Sequence, residues 1–308
     1  MLRRARITEL FLLPVCVGAV AGWMVNAQRP WERAGQSVGD EILGPDGAPM
    51  VWVPAGTFMM GLTPQQAECA REVLGCDPKS VAALQPARKF TLSHGFWMHK
   101  YEVSNRLFRQ YCNATGAPFP EDSTEPDEHP VVYVYWQEAY DYCTHFGMRL
   151  PTEAQWELAA RGPEGLMFPW GNDWNEKLCC NYHHRGVHGK TMPVASLPEG
   201  RSWCGAHHLL GNVWEYCEDW FTPDYLMIVP DTDPRGPLSG TLHTCKGGAW
   251  FHFPDNPFAA GRCAADSKER SDFHGFRGGD CPGAVMVPMR ARRGACLSRL
   301  VTAPSWRG

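Results

Sequence analysis

Imidazoles and thiols are the side chains of this 308-residue sequence best suited to chemistry. His183, His184, His188, His207 and His208 fall within one short stretch, while His252 and His274 stand further along. Imidazole nitrogens bind copper, iron or zinc when a fold gathers several of them, and His252 and His274 are the alternative metal ligands to test. Of the 13 cysteines, Cys16 lies in an apolar N-terminal run and the others lie in the body of the chain. No C-x-x-C pair and no haem-attachment motif occurs, which argues against zinc-ribbon and thioredoxin-type chemistry. Outside the cytoplasm the default fate of such cysteines is disulfide formation. Cys69 and Cys76 bracket a short loop and are candidates for local pairing. No G-x-S-x-G elbow, P-loop or dinucleotide fingerprint is present.

The elements that must position these groups are short. The sequence holds 31 glycines, 26 prolines and 13 tryptophans, a composition that favours a loop-rich body pinned by large aromatic anchors. Residues 50–61 read as an apolar strand, a Pro-Ala-Gly turn and a second strand. Residues 62–88 form an excursion that carries Cys69 and Cys76, and Phe90 to Glu102 resumes strand character. Three helices come next. Ser104 caps the first, whose Leu107, Phe108, Tyr111 and Cys112 share a face. The second begins near Trp136, with Trp136, Ala139, Tyr140, Cys143 and Phe146 as its core stripe. Thr152 and Gln155 have capping-box spacing and open the third, which runs to Arg161-Gly162. Loops and short strands are expected from there to Arg277.

The chain's ends carry topological signals. Arg3, Arg4 and Arg6 precede an almost uninterrupted apolar run from Leu10 to Ala27, at the short end of what spans a bilayer. Basic residues before the run place the remainder of the chain on the extracytoplasmic side. Residues 1–27 are therefore a membrane anchor or signal segment, and Val25-Asn26-Ala27 would suit cleavage. A single-pass protein with a periplasmic domain is expected, with secretion to the periplasm as the alternative. Residues 28–49 read as a tether, 50–278 as the folded domain and 279–308 as an extension bearing Arg290, Arg292, Arg293, Arg299 and Arg307. A net charge of −4 gives no argument for nucleic-acid binding.

An ordered series of blocks then resembles the formylglycine-generating enzyme (sulfatase-modifying factor) family. The series opens with Val53-Pro54-Ala55-Gly56-Thr57-Phe58 and Tyr101-Glu102-Val103-Ser104-Asn105, and continues with Arg149-Leu150-Pro151-Thr152-Glu153. Phe168-Pro169-Trp170-Gly171-Asn172, Gly211-Asn212-Val213-Trp214-Glu215, Lys246-Gly247-Gly248-Ala249-Trp250 and Gly275-Phe276-Arg277 complete it. The resemblance implies an α+β fold: a single formylglycine-generating-enzyme-like domain, related to C-type lectin-like folds and low in regular secondary structure. To this the chain adds an N-terminal transmembrane helix.

It also implies sites. Active members hold Cu(I) with two thiolates. Here the first falls on His252 and the second at about Asn256 or Pro257, so neither thiolate is present. Calcium, as a structural cofactor, would draw on Gly211 and Val213 through backbone oxygens and on Glu215 through its carboxylate, with Asn181 and Tyr182 starting a second site. An asparagine ligand of the first site falls on His208, and the acidic loop of the second is replaced by Arg185-Gly186-Val187-His188-Gly189. Among the family's disulfide cysteines, Cys263 has its implied partner on Ala160. Cys143 has its partner on Gly278, with Cys281 just beyond as a substitute. The expectation is a non-catalytic extracytoplasmic binding or structural module, an accessory subunit that joins a protein partner in a membrane or periplasmic assembly. The alternative is a divergent metal-dependent oxidase using histidine ligands.

Overall fold

A computed structural model of the chain describes residues 29–72, 74–186, 188–252, 259–280 and 282. In chain order these form β1 (Glu41–Leu43), β2 (Pro49–Val53), β3 (Gly56–Met60), α1 (Pro64–Glu72), α2 (Pro78–Ala82), β4 (Arg88–Leu92) and β5 (Phe96–His99). Next come α3 (Asn105–Thr115), α4 (Trp136–His145), α5 (Glu153–Arg161), β6 (Trp214–Trp220), α6 (Tyr225–Ile228), β7 (Leu242–Lys246), β8 (Arg262–Asp266), β9 (His274–Gly275) and β10 (Gly279–Asp280). The expected anchor segment, Asn256, Pro257, Cys281 and the arginines of the extension lie outside the described residues. Among the described residues no helix is long and apolar enough to cross a membrane.

Three small sheets result, ordered β1-β2-β5-β10, β3-β4 and β8-β7-β6-β9. Met50, Val51, Trp52 and Val53 are all buried, so β2 has apolar contacts on both faces and pairs centrally with β5, Trp52 opposite Trp97. The three expected helices form where their caps stand. The Ser104 hydroxyl accepts from Leu107 N at 3.4 Å. The Thr152 hydroxyl accepts from Gln155 N at 3.2 Å, while Gln155 Oε1 accepts from Thr152 N at 2.9 Å. Gly116 ends α3 at φ +78°, left-handed backbone that glycine adopts without strain.

The excursion at 62–88 is more ordered than the sequence suggests. Pro64 and Pro78 sit in the first turns of α1 and α2, and Asp77 caps α2 by accepting from Ser80 N at 2.8 Å. The candidates for local pairing, Cys69 and Cys76, stand on α1 and just beyond its end. Cys69 is a half-buried thiol on α1, whereas Cys76 is buried in the apolar cluster with Leu62, Ala67 and Leu84.

Helix α5 is the hub. Trp156, Leu158, Ala159 and Ala160 are buried, and its polar residues are buried too. Glu157 Oε1 accepts from Gly61 N at 2.8 Å and Arg161 Nη1 at 2.5 Å, and Oε2 from Lys246 Nζ at 2.9 Å. Burial alone would raise the Glu157 carboxyl, yet Lys246 and Arg161 hold it below its ordinary range. A second buried cluster pins the β1–β2 loop: Asp46 Oδ2 lies 3.2 Å from His99 Nε2 and accepts from Tyr142 Oη at 2.7 Å. Gly278 N donates to His99 Nδ1 at 3.1 Å, which leaves the ring proton on the nitrogen facing Asp46.

Candidate functional site

Strand β7 leads into the segment where the sequence places His252. Its last residue, Lys246, is fully buried and donates to both Glu157 Oε2 and Ala260 O at 2.9 Å. Gly247 and Gly248 then turn with φ of +101° and +76°. A Cβ on Gly247 would lie 3.1 Å from the Trp156 ring, so both backbone sign and space call for glycine. Arg262, which opens β8, pairs with Glu153 of α5. Lys246 and Arg262 are thus two feet, one on either side of residues 247–261, clamped to the same helix.

Within that segment His252 is held by its neighbours. Ala249 N donates to His252 Nδ1 at 3.1 Å, and Tyr182 N donates to His252 O at 3.4 Å. The ring stands edge-on to Trp214 at 5.4 Å and 4.2 Å from Phe251. His274 shares this aromatic setting: its ring lies 5.3 Å from Tyr216 and 4.7 Å from Phe273. Ser271 Oγ is 2.9 Å from His274 Nδ1, and the buried Nε2 has no hydrogen-bond partner. Burial, then the nearby His252, lowers the His274 pKa to about 4, so it is neutral at pH 7. A cavity of about 10 Å³ remains among Cys179, Asn181, Gly211, Gly248 and His252, near the space one water needs. Cys179, absent from the sequence-based site, is pushed up to about 12 by burial and stays a thiol at neutral pH.

The histidine-rich stretch does not gather into a site. His207 packs against Tyr101 at 4.9 Å, and His208 Nε2 lies 3.1 Å from Ser196 Oγ. Burial, then His207, holds His208 at about 3. Among the described residues no group of three or more His, Cys, Asp or Glu side chains is arranged to hold a metal ion.

The implied calcium ligands are committed elsewhere. Glu215 Oε2 accepts from Arg277 Nε at 2.6 Å and Trp156 Nε1 at 2.8 Å, and Oε1 accepts from Arg277 Nη2 at 2.6 Å. Asn181 Oδ1 accepts from His183 N at 2.9 Å and His184 N at 3.1 Å, while its amide donates to Glu176 O and Cys179 O. Tyr182 is 49% exposed with Arg185 stacked on its ring at 4.6 Å. Gly211 stands at φ +81°, where a Cβ would fall 2.1 Å from Cys180 O, and its N donates to Gly247 O at 2.8 Å. Val213 is buried beneath Gly275. A carboxylate already paired with a guanidinium, and an amide oxygen already accepting two N–H groups, do not fit a calcium ion.

A second buried carboxyl lies beside this pair. Glu102 Oε1 accepts from Asn212 Nδ2 at 2.9 Å, and Oε2 has no partner. Burial, reinforced by the charge of Glu215, pushes Glu102 well above the usual carboxylate range. Glu102 lines a pocket of about 270 Å³ with Ala48, Pro49, Leu107 and Val194. A more polar opening of about 530 Å³, lined by Lys100, Arg201 and His207, shares Tyr101 and Ala195 with it.

Residues 43–278 match the sulfatase-modifying factor enzyme 1-like domain family. The chain belongs to that family. It is 31% identical to the formylglycine-generating enzyme of Mus musculus over 72% of this chain and 71% of that protein. To the formylglycine-generating enzyme of Thermomonospora curvata it is 34% identical, over 66% of this chain and 82% of that one. A shorter match, 38% identical over 31% of this chain and 34% of the relative, is to the inactive C-alpha-formylglycine-generating enzyme 2 of Mus musculus. The fold is that of PvdO from Pseudomonas aeruginosa, with a TM-score of 0.68 at 22% identity over 80% of this chain and 100% of that one. In this sulfatase-modifying-factor domain no cysteine occurs between Cys245 and Cys263. His252 and His274, named from the sequence, stand in adjoining aromatic surroundings, with Phe251 5.0 Å from Phe273. The sequence missed Cys179 and the Tyr101 groove, which are assembled from segments far apart in the chain.

Proposed function

We propose that this chain is a non-catalytic member of the sulfatase-modifying-factor family: an extracytoplasmic binding module tethered to a membrane, serving as an accessory subunit. The observation that carries the reading is the segment after β7. It reaches the family's first metal position with His252, whose Nδ1 already accepts from Ala249 N, and no thiolate occurs from there to Cys263. Cu(I) favours soft thiolates, and an imidazole held by a backbone amide is a poor substitute. The mouse relative described as inactive supports the idea that this scaffold persists without the oxidase reaction.

The groove around Tyr101 suits an extended segment of a protein partner. The apolar pocket takes a hydrophobic side chain above Glu102, and the adjoining opening presents Lys100 and Arg201 to an acidic one. His207 supports that polarity: burial, and then the cations Lys100, Arg277 and Arg201, work against its protonation.

The second reading is a divergent metal-dependent oxidase. It is favoured by one observation, the unpartnered Nε2 of His274 close to His252. Elemental analysis of protein purified without chelators separates the two. The main reading expects no stoichiometric copper or iron, and no conversion of a cysteine peptide to its aldehyde after loading with either metal. Bound metal that disappears in His252→Ala, together with turnover, would replace it. Co-purification from native membranes tests the accessory role, which fails if the chain is recovered alone.

A further inference from the structure

Cys263 is the thiol whose implied family partner falls on Ala160, a position with no sulfur. The structure gives it another neighbour. In the antiparallel β7–β8 ladder Cys245 is directly opposite Cys263, so both side chains emerge on the same face of the sheet. Directly opposed residues in such a ladder have Cβ atoms about 4.5–5.5 Å apart, close to the separation of about 3.5–4.5 Å that a disulfide spans. Cys245 belongs to the apolar cluster of Trp136, Tyr142 and Tyr216, and Cys263 packs against that same cluster. After burial, Cys263 is the strongest influence on the Cys245 thiol, and both act on the Tyr216 hydroxyl. Cys217 is the rival. It belongs to the other large cluster, with Val51 and Trp156, and its neighbour Tyr216 is the residue opposite Cys245, so Cys217 faces away.

We propose that Cys245 and Cys263 form a cross-strand disulfide, and that this bond sets the spacing of the two feet of residues 247–261. Position strengthens the case. Cys245 immediately precedes Lys246, and Cys263 comes immediately after Arg262, the two cations that fasten those feet to Glu157 and Glu153. The bond therefore sits one residue outside each ionic anchor. The chain would carry its redox-active sulfur at the base of the segment.

The chemistry is thiol–disulfide exchange with a disulfide oxidant, oxidised glutathione in vitro or a protein disulfide in an oxidising compartment. Cys263 is half-buried and Cys245 fully buried, so Cys263 is the point of entry. Its thiolate attacks the oxidant, forming a mixed disulfide and releasing one thiol. Cys245 then displaces the second thiol and closes the bond. Two protons leave the protein, and the two electrons reside on the reduced oxidant.

Wild-type protein incubated with oxidised glutathione, alkylated and digested with trypsin without reduction tests the pair. The expected product joins the peptide Gly236–Lys246 to the peptide Cys263–Lys268, and it disappears on reduction. Recovery of both cysteines alkylated, or of either one joined elsewhere, overturns the proposal. Hydrogen exchange over residues 247–252, in oxidised against reduced wild type, tests the consequence. Slower exchange in the oxidised form is expected, and unchanged exchange in a sample shown to be linked overturns the role given to the bond. In Cys245→Ser the same oxidation should stop at the mixed disulfide of Cys263 with glutathione, read as the mass of that adduct on the peptide Cys263–Lys268, and a Cys263 joined instead to another cysteine of the chain would overturn the assignment.

Discussion

Glu102 and Glu215 are both buried, both near Arg277, and should respond unequally to the same conservative change. Glu215 is the anion of the pair: three donors, from Arg277 and Trp156, converge on its two oxygens at 2.6–2.8 Å. In Glu215→Gln one of those oxygens becomes an amide that faces the guanidinium as donor against donor, and Arg277 loses its counter-charge. Breaking a buried ion pair costs about 3–5 kcal/mol, and ionisation of Glu102 can return part of the charge, so about 3 kcal/mol is expected. For a domain of this size that lowers Tm by about 6–12 °C. Burial favours the neutral form of Glu102, and its one bond is accepted from Asn212 through Oε1, which a glutamine keeps. Glu102→Gln should therefore cost less than about 1 kcal/mol. The pH profile gives an independent check. The unfolded Glu102 side chain ionises near 4.5, whereas the native one does so well above that value. Between the two the native state binds a proton that the unfolded chain has released, so stability falls as pH rises, by up to about 1.4 kcal/mol per pH unit. Urea denaturation of wild type and both variants from pH 5 to pH 8 should show that slope in wild type and a shallower one in Glu102→Gln. Equal destabilisation by the two changes at pH 7, or an unaltered slope in Glu102→Gln, would refute the assignment of charge.

The same geometry sets other outcomes. A Cβ on Gly278 would lie 3.4 Å from Cys143 Sγ, so Gly278→Cys should form a disulfide that adds about 2–4 kcal/mol and vanishes with reductant, read by thermal melts with and without dithiothreitol. Gly211→Ala combines left-handed backbone with a Cβ 2.1 Å from Cys180 O and should cost at least about 2 kcal/mol, measured by chemical denaturation. Because Glu215 and Asn181 are spoken for, exchanging calcium for a chelator should move Tm by less than about 1 °C in a calorimetric scan.

The capped helices were legible because their signals are local: Ser104 precedes α3, and Thr152 and Gln155 lie three residues apart at the start of α5. The proline-led α1 and α2 were not, since their apolar periodicity is short and interrupted. The buried polar clusters were illegible for a different reason. Glu215 meets Arg277 and Glu157 meets Lys246 only after the chain has folded across many intervening residues, and no spacing rule links them. Family resemblance located His252. It gave no notice that the amide of Ala249 would take one of its nitrogens, or that Cys179 would line the cavity alongside it.

The double hold on the feet of residues 247–261 has an engineering consequence. Lys246 and Arg262 pair with Glu157 and Glu153 one turn apart on α5, and Lys246 also donates to Ala260 O, so the intervening stretch is a cassette whose sockets belong to the scaffold. Its content can be exchanged while the sockets stay intact. A thiolate-bearing stretch from an active relative, grafted between Gly248 and Ala260, would ask whether oxidase activity in this family is carried by the insert or by the body that receives it.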